Sequence, residues 1–203
     1  MLSTTDILKQ EIGGWERGRI FFIDDFPTYE SQWGVRFGLS TLAQEGFIVR
    51  LARGIYCYPR MVGDFGPRMV LPEPETIAYA LAARERVRII PYGDQAAYEI
   101  GLTSLRVSDL KYLTDGAPRT INLAAGRKIY FNHTSEVKMF DFCNRDMLRI
   151  CSAIRALGAD MIGDEQRRKI REVLRNVTEK DYRKDIGIPP AWVQEIIADI
   201  WEN

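Results

Sequence analysis

The sequence is short of the groups that most enzymes and metal sites use. Its 203 residues hold one histidine and three cysteines. Cys57, Cys143 and Cys151 show no Cys-x-x-Cys spacing, so a zinc site with the usual ligand count is not expected. A two-histidine metal site is excluded from this chain alone. A Ser-His-Asp or Cys-His mechanism would have to use His133. Neither GxGxxG nor GxxxxGK[ST] occurs, and no Asp-x-Asp carboxylate motif is present, so the common nucleotide cradles and the simplest paired-carboxylate sites are missing. These gaps lead us to expect a non-enzyme that needs no cofactor and no metal.

Net charge is missing too, with 28 Lys+Arg against 28 Asp+Glu. The balance holds locally: seven basic and seven acidic residues over 1–60, ten and ten over 61–142, eleven and eleven over 143–203. A broadly basic nucleic-acid binder is excluded, and any DNA contact must come from placed arginines. There is no run of about 18 apolar residues, so no membrane span is expected. The N-terminus lacks a basic region followed by an apolar run, so a signal peptide is not expected, and the unpaired cysteines suit a reducing cytoplasm. What is present is ordinary for a globular protein, 46 % apolar and 28 % charged residues, in a length that suits one domain or two small ones.

The pattern predicts a short helix over 3–13, with Ile7, Leu8 and Ile12 on one face, and a strand at Ile20–Ile23. Asp24 or Asp25 is placed to cap a second short helix, with Pro27 in its first turn. A third helix is expected over 31–45, where Val35, Leu39 and Leu42 recur at i, i+4 and i+7. Gly34 and Gly38 weaken it by roughly 1 kcal/mol each relative to Ala. Residues 47–58 read as a hairpin with its tip near Ala52–Gly54. The Pro/Gly-rich stretch 59–74 reads as a linker. Beyond it we expect a helix over 73–85, a strand at 87–91, a short helix at 94–101, and three strands near 111–113, 120–123 and 128–131 forming a small antiparallel sheet. Helices then follow over 145–157, 164–177 and 190–201.

Helix, strand, helix, helix and hairpin within about 55 residues is the order of a winged helix-turn-helix. With Val35, Leu39 and Leu42 inward, Gln32, Trp33, Arg36, Phe37 and Ser40 lie outward. Arg36 can reach a guanine edge or a phosphate, and Gln32 and Ser40 can bond either. Arg50 and Arg53 sit near the hairpin tip, where a phosphate contact is natural. The same fold also serves as a protein-docking module, for which Trp33 and Phe37 would be the anchors. The fold class expected is therefore α+β: a winged helix-turn-helix over 1–60, a mixed α/β domain over 72–142, and a helical extension over 143–203.

Ser31–Leu42, followed by Leu51-Ala52-Arg53-Gly54-Ile55-Tyr56-Cys57-Tyr58-Pro59, resembles the start of AbiEi-like antitoxins, in the branch described as DUF6088-type proteins. The resemblance continues through Ile90-Pro91-Tyr92-Gly93-Asp94-Gln95-Ala96-Ala97, Tyr112–Ile121 and Asn132-His133-Thr134, covering about residues 15–142. It implies the antitoxin of a type IV toxin–antitoxin pair, whose winged helix binds promoter DNA and represses its own operon. It also implies a nucleotidyltransferase-like toxin as functional partner, with direct contact not required. An enzyme tethered to a winged helix, nuclease-like or nucleotide-handling, and a protein-interaction adaptor are the alternatives.

Four residues stand out in the second region. Tyr92 and Asp94 flank a strand-to-helix junction, with Asp94 read as the helix N-cap. Arg119 could pair with Asp94 or Asp115, or bind a phosphate or a partner's carboxylate. His133 is either a ligand or catalytic group, or a side chain whose hydrogen bond fixes the strand's exit. Arg167, Arg171 and Arg175 would form a basic stripe on a solvated helix or contact the DNA backbone.

Overall fold

In the computed structural model, residues 2–26, 31–63, 68–104 and 107–203 are described. The chain is mixed α and β and divides into two units, Met1–Leu81 with Ile121–Arg127, and Ala82–Thr120 with Lys128–Asn203. Among the described residues, no helix is long and apolar enough to cross a membrane.

The first unit opens with α1 (Thr4–Gly13), closed at its start by a reciprocal pair of bonds between Ser3 and Asp6. Leu8 and Ile12 are buried, whereas Ile7, expected on the same face, is exposed. At 3.6 residues per turn, Ile7 lies about 100° from Leu8 and outside the stripe that α2 covers. β1 (Ile20–Phe22) leads into a single 3-10 turn, Ile23–Asp25. Asp25 is the last residue of that turn. Its carboxylate accepts from the Phe22 N–H at 2.9 Å and closes the turn from within. The continuation expected through Pro27 lies outside the described residues.

α2 (Gln32–Gln44) is capped by Ser31, whose Oγ accepts from the Gly34 N–H at 3.2 Å. Val35, Leu39 and Leu42 are buried against Leu8, Ile12, Phe21, Phe26 and Ile48. β2 (Val49–Ala52) and β3 (Ile55–Cys57) form an antiparallel hairpin, and β1 adds on the other side of β3, giving the order β1-β3-β2. The two-residue turn needs Gly54, whose φ is +76°. β2 is thus an edge strand, and the Ala124 N–H donates to its Leu51 carbonyl at 2.8 Å.

The stretch expected as a linker instead holds an antiparallel ribbon, β4 (Arg60–Val62) with β5 (Arg68–Val70). Pro67 lies outside the described residues. The β-rich triplets Arg60–Val62 and Arg68–Val70 supply the pairing. The units divide not in this stretch but at Leu81/Ala82, within α3 (Pro74–Glu85).

The second unit contains β6 (Ile89–Pro91), α4 (Asp94–Glu99), β7 (Leu110–Thr114), the first two residues of β8 (Arg119–Asn122) and β9 (Lys128–His133). α5 (Arg145–Leu157), α6 (Asp164–Leu174), α7 (Glu179–Asp185) and α8 (Ala191–Glu202) follow. The sheet order is β6-β7-β9-β8. The antiparallel sheet expected from the sequence is instead mixed, because β7 and β9 pair in parallel, from Leu110↔Ile129 to Thr114↔His133. The short turn after β7 does not close a hairpin. It carries β8 to the sheet edge and leaves its inner place to β9.

The helices of residues 143–203 pack into the second unit. Met147, Ile150, Ile154, Ile170, Val193 and Ile197 share one buried core with Ile90, Ala96 and Ala97. α7, unexpected from the sequence, begins at Thr178, whose hydroxyl accepts from the Asp181 N–H at 3.2 Å. Thr178-x-x-Asp181 was the available signal.

Candidate nucleic-acid interface

The outward residues of α2 are Gln32, Trp33, Arg36, Phe37 and Ser40, and all five are exposed. At about 100° per residue they span an arc of about 140°, opposite the buried stripe. Trp33 is 74 % exposed and Phe37 57 %, in contrast to the buried aromatics Phe21, Phe26 and Tyr56 of the same unit. The two rings stack on each other, centroids 5.5 Å apart and planes 14° from parallel. The i, i+4 spacing that brings them together also keeps both on the solvent side.

Arg50 and Arg53 are exposed on the hairpin, Arg53 at its turn and Arg50 opposite Tyr56. Among the described residues, Arg36, Arg50 and Arg53 have no carboxylate partner, so their guanidinium donors face solvent. Arg17 and Arg19 are used differently. Arg17 lies over Tyr58 at 4.6 Å and donates to the Pro59 carbonyl, while Arg19 lies over Trp15 at 4.2 Å. They brace the aromatic core from outside.

In the second unit the four residues singled out do not converge. Tyr92 is exposed, and its N–H donates to the Lys111 carbonyl at 3.0 Å. Asp94 is not the cap of α4. Gly93 holds that position with φ +69°, and Asp94 is the acidic residue of the first turn. Arg119 pairs with neither Asp94 nor Asp115. It bonds Glu85 and lies over the Phe131 ring at 5.0 Å. His133 Nδ1 donates to the Gly116 carbonyl at 2.9 Å, fixing the exit of β9 against the turn after β7. Among the described residues, no three of His, Cys, Asp and Glu gather as a metal ion would require.

Asp115 belongs to Arg88, accepting from its backbone N–H at 2.8 Å and from its Nε at 2.7 Å. The bond from the Arg88 side chain holds the Asp115 carboxyl below the usual carboxylate range, helped by the backbone donor. A carboxyl whose folded pKa is depressed stabilises the fold above its unfolded value, and that contribution fades as pH falls through the lower folded value. Asp115→Asn is therefore expected to lower the melting temperature at neutral pH. The gap to the parent should close as pH drops below the ordinary carboxylate range. Calorimetric scans from pH 7 to pH 3 check this, and a gap independent of pH would refute it.

The expected basic stripe on α6 is only partly left to solvent. Arg167 pairs with Asp199, and the Arg171 Nε is buried without a hydrogen-bond partner among the described residues. Arg171 and Arg175 line a cavity of about 270 Å³ with Leu174, Val177, Ile200 and Trp201. Of the three arginines only Arg175 is exposed.

The sequence compared with known families gives a match over residues 7–182. The chain belongs to DUF6088, a family of unknown function. The match takes in α2, the hairpin and residues of both units, so the candidate interface lies inside the part that defines DUF6088. No curated protein matches the chain at a significant level.

Proposed function

We propose that the N-terminal part of this DUF6088 protein is a winged helix-turn-helix that binds double-stranded promoter DNA. On this reading α2 enters the major groove and the β2–β3 hairpin is the wing. The observation that carries it is the outward arc of α2, where Gln32, Arg36 and Ser40 offer hydrogen bonds beside the stacked Trp33 and Phe37. The order α1, β1, 3-10 turn, α2, β2, β3 with sheet order β1-β3-β2 supports the fold reading. Arg36, Arg50 and Arg53, free of carboxylates among the described residues, supply the placed positive charge that a neutral chain needs.

The resemblance of Arg53-Gly54-Ile55-Tyr56-Cys57-Tyr58-Pro59 and the later motifs to AbiEi-like antitoxins supports the rest of the proposal. The protein is a cytoplasmic antitoxin of a type IV pair that represses its own operon and counters a nucleotidyltransferase-like toxin encoded beside it. The stacked aromatics also fit a protein-docking adaptor, and DNA binding separates the two readings.

The test is a mobility-shift titration with DNA from immediately upstream of the gene. Arg36→Ala is expected to weaken binding by about 1–3 kcal/mol if it reads a base edge. Unchanged affinity, with the far-ultraviolet spectrum intact, would remove Arg36 from the interface. Replacing Arg50 and Arg53 together should weaken binding to all sequences alike. It should also flatten the slope of log K against log salt by about one per lost phosphate contact. For the antitoxin role, growth is measured with the neighbouring toxin gene expressed, with and without the full chain. Failure of the chain to restore growth overturns that part of the proposal.

A further inference from the structure

The stacked pair on α2 needs a physical reason. A helix that met DNA through polar bonds and phosphates alone would have no use for two large rings held at 74 % and 57 % exposure. Exposed apolar surface of this kind marks a contact. Stacking between Trp33 and Phe37 lowers the freedom of both rings, so little entropy remains to be lost when they are covered. Arg36 lies between them along the chain and places positive charge beside the plate, which favours a polyanionic surface with apolar patches over an apolar or basic protein face. In the major groove the apolar group that distinguishes one base from another is the thymine C5-methyl.

We propose that Trp33 and Phe37 form a sensor for thymine methyl groups, which makes this chain prefer T-containing steps under α2. The inference rests on the reading of α2 as the helix that enters the groove, and it names what that helix reads. Residues four apart are separated by about 6 Å along a helix, and stacked bases by about 3.4 Å, so the pair spans about two base steps. The two rings therefore reach methyls on base pairs about two steps apart, while Arg36, Gln32 and Ser40 take the polar edges or the phosphates.

The experiment uses the full chain and one upstream DNA fragment, amplified either with thymidine or with deoxyuridine triphosphate. The two products share every hydrogen-bonding group and every phosphate and differ only in the methyls. The deoxyuridine fragment is expected to bind about fourfold more weakly per methyl contacted, hence about 15-fold for two, from the transfer free energy of one methyl-sized group. In Trp33→Ala with Phe37→Ala, whose changes fall on exposed positions, the ratio should fall to near one while arginine-driven binding persists. Trp33→Phe should keep part of the discrimination. Equal binding of the two fragments by the parent chain overturns the methyl sensor and leaves DNA binding standing. Discrimination that survives in the double variant, or loss of all binding by it, also overturns the sensor. Absence of binding to either fragment by the parent overturns the winged-helix reading and this inference together.

Discussion

Asp185→Ala is expected to lower the free energy of unfolding by about 3 kcal/mol, the largest single loss we foresee among polar residues. Asp185 is 1 % exposed, and its two oxygens accept from the Cys143 N–H at 3.0 Å and the Asn144 N–H at 2.8 Å. Asn144 is itself the cap of α5, its side chain accepting from the N–H groups of Asp146 and Met147. The carboxylate at the end of α7 thus holds the entry of the helix that carries Met147, Ile150 and Ile154 into the second core. Alanine leaves two donors without an acceptor, at about 1–3 kcal/mol for each buried group left unpaired. Asp185→Asn keeps one acceptor but points an amide at the other donor, and should lose about half as much. Urea titrations followed by circular dichroism check both, with an unchanged slope showing that stability rather than compactness moved. A loss below about 1 kcal/mol for Asp185→Ala would show that water replaces the carboxylate without cost.

The second large effect lies in the α1–α2 contact and changes sign with position. A Cβ at Gly38 would stand 2.7 Å from Leu8 Cδ1 and 3.3 Å from Thr5 Oγ1, whereas one at Gly34 would meet Thr4 at an ordinary 3.6 Å. Leu8 is fully buried, so its methyl has little room to move. Gly38→Leu should destabilise by about 3 kcal/mol, at the upper end of core overpacking, because the two helices must separate. Gly34→Ala should instead stabilise by about 0.5–1 kcal/mol, since it removes a helix-weakening glycine at no steric cost. Thermal unfolding of the two variants against the parent decides the matter. Equal signs would mean that close approach at Gly38 is not what keeps a glycine there.

These glycines show where local reading ends. Gly34 and Gly38 weaken a helix by propensity, and nothing in the sequence of α2 says that another helix crosses over them. The partner, residues Thr4, Thr5 and Leu8, lies about thirty positions earlier. Arg119 is similar. Its neighbours in sequence suggested Asp115, but β9 takes the place beside β7, and Arg119 meets Glu85 instead. Asp185 gave no sign of its task, because its two donors lie more than forty residues away.

The sequence by itself determined the period-encoded features. Val35, Leu39 and Leu42 recur at helical spacing, so the face that carries Gln32, Trp33, Arg36, Phe37 and Ser40 followed from them, as did the span 145–157 and its stop at Gly158. The turn at Arg53-Gly54 was legible because a positive φ favours glycine at a two-residue reversal. Only the tertiary structure decided what depends on distant partners. The parallel pairing of β7 with β9 and the shared core of residues 82–120 with the C-terminal helices belong to this class. The physical reason is that periodicity records which side of an element avoids water, whereas the choice of neighbour is made by shape, hydrogen-bond register and burial summed over segments far apart in the chain.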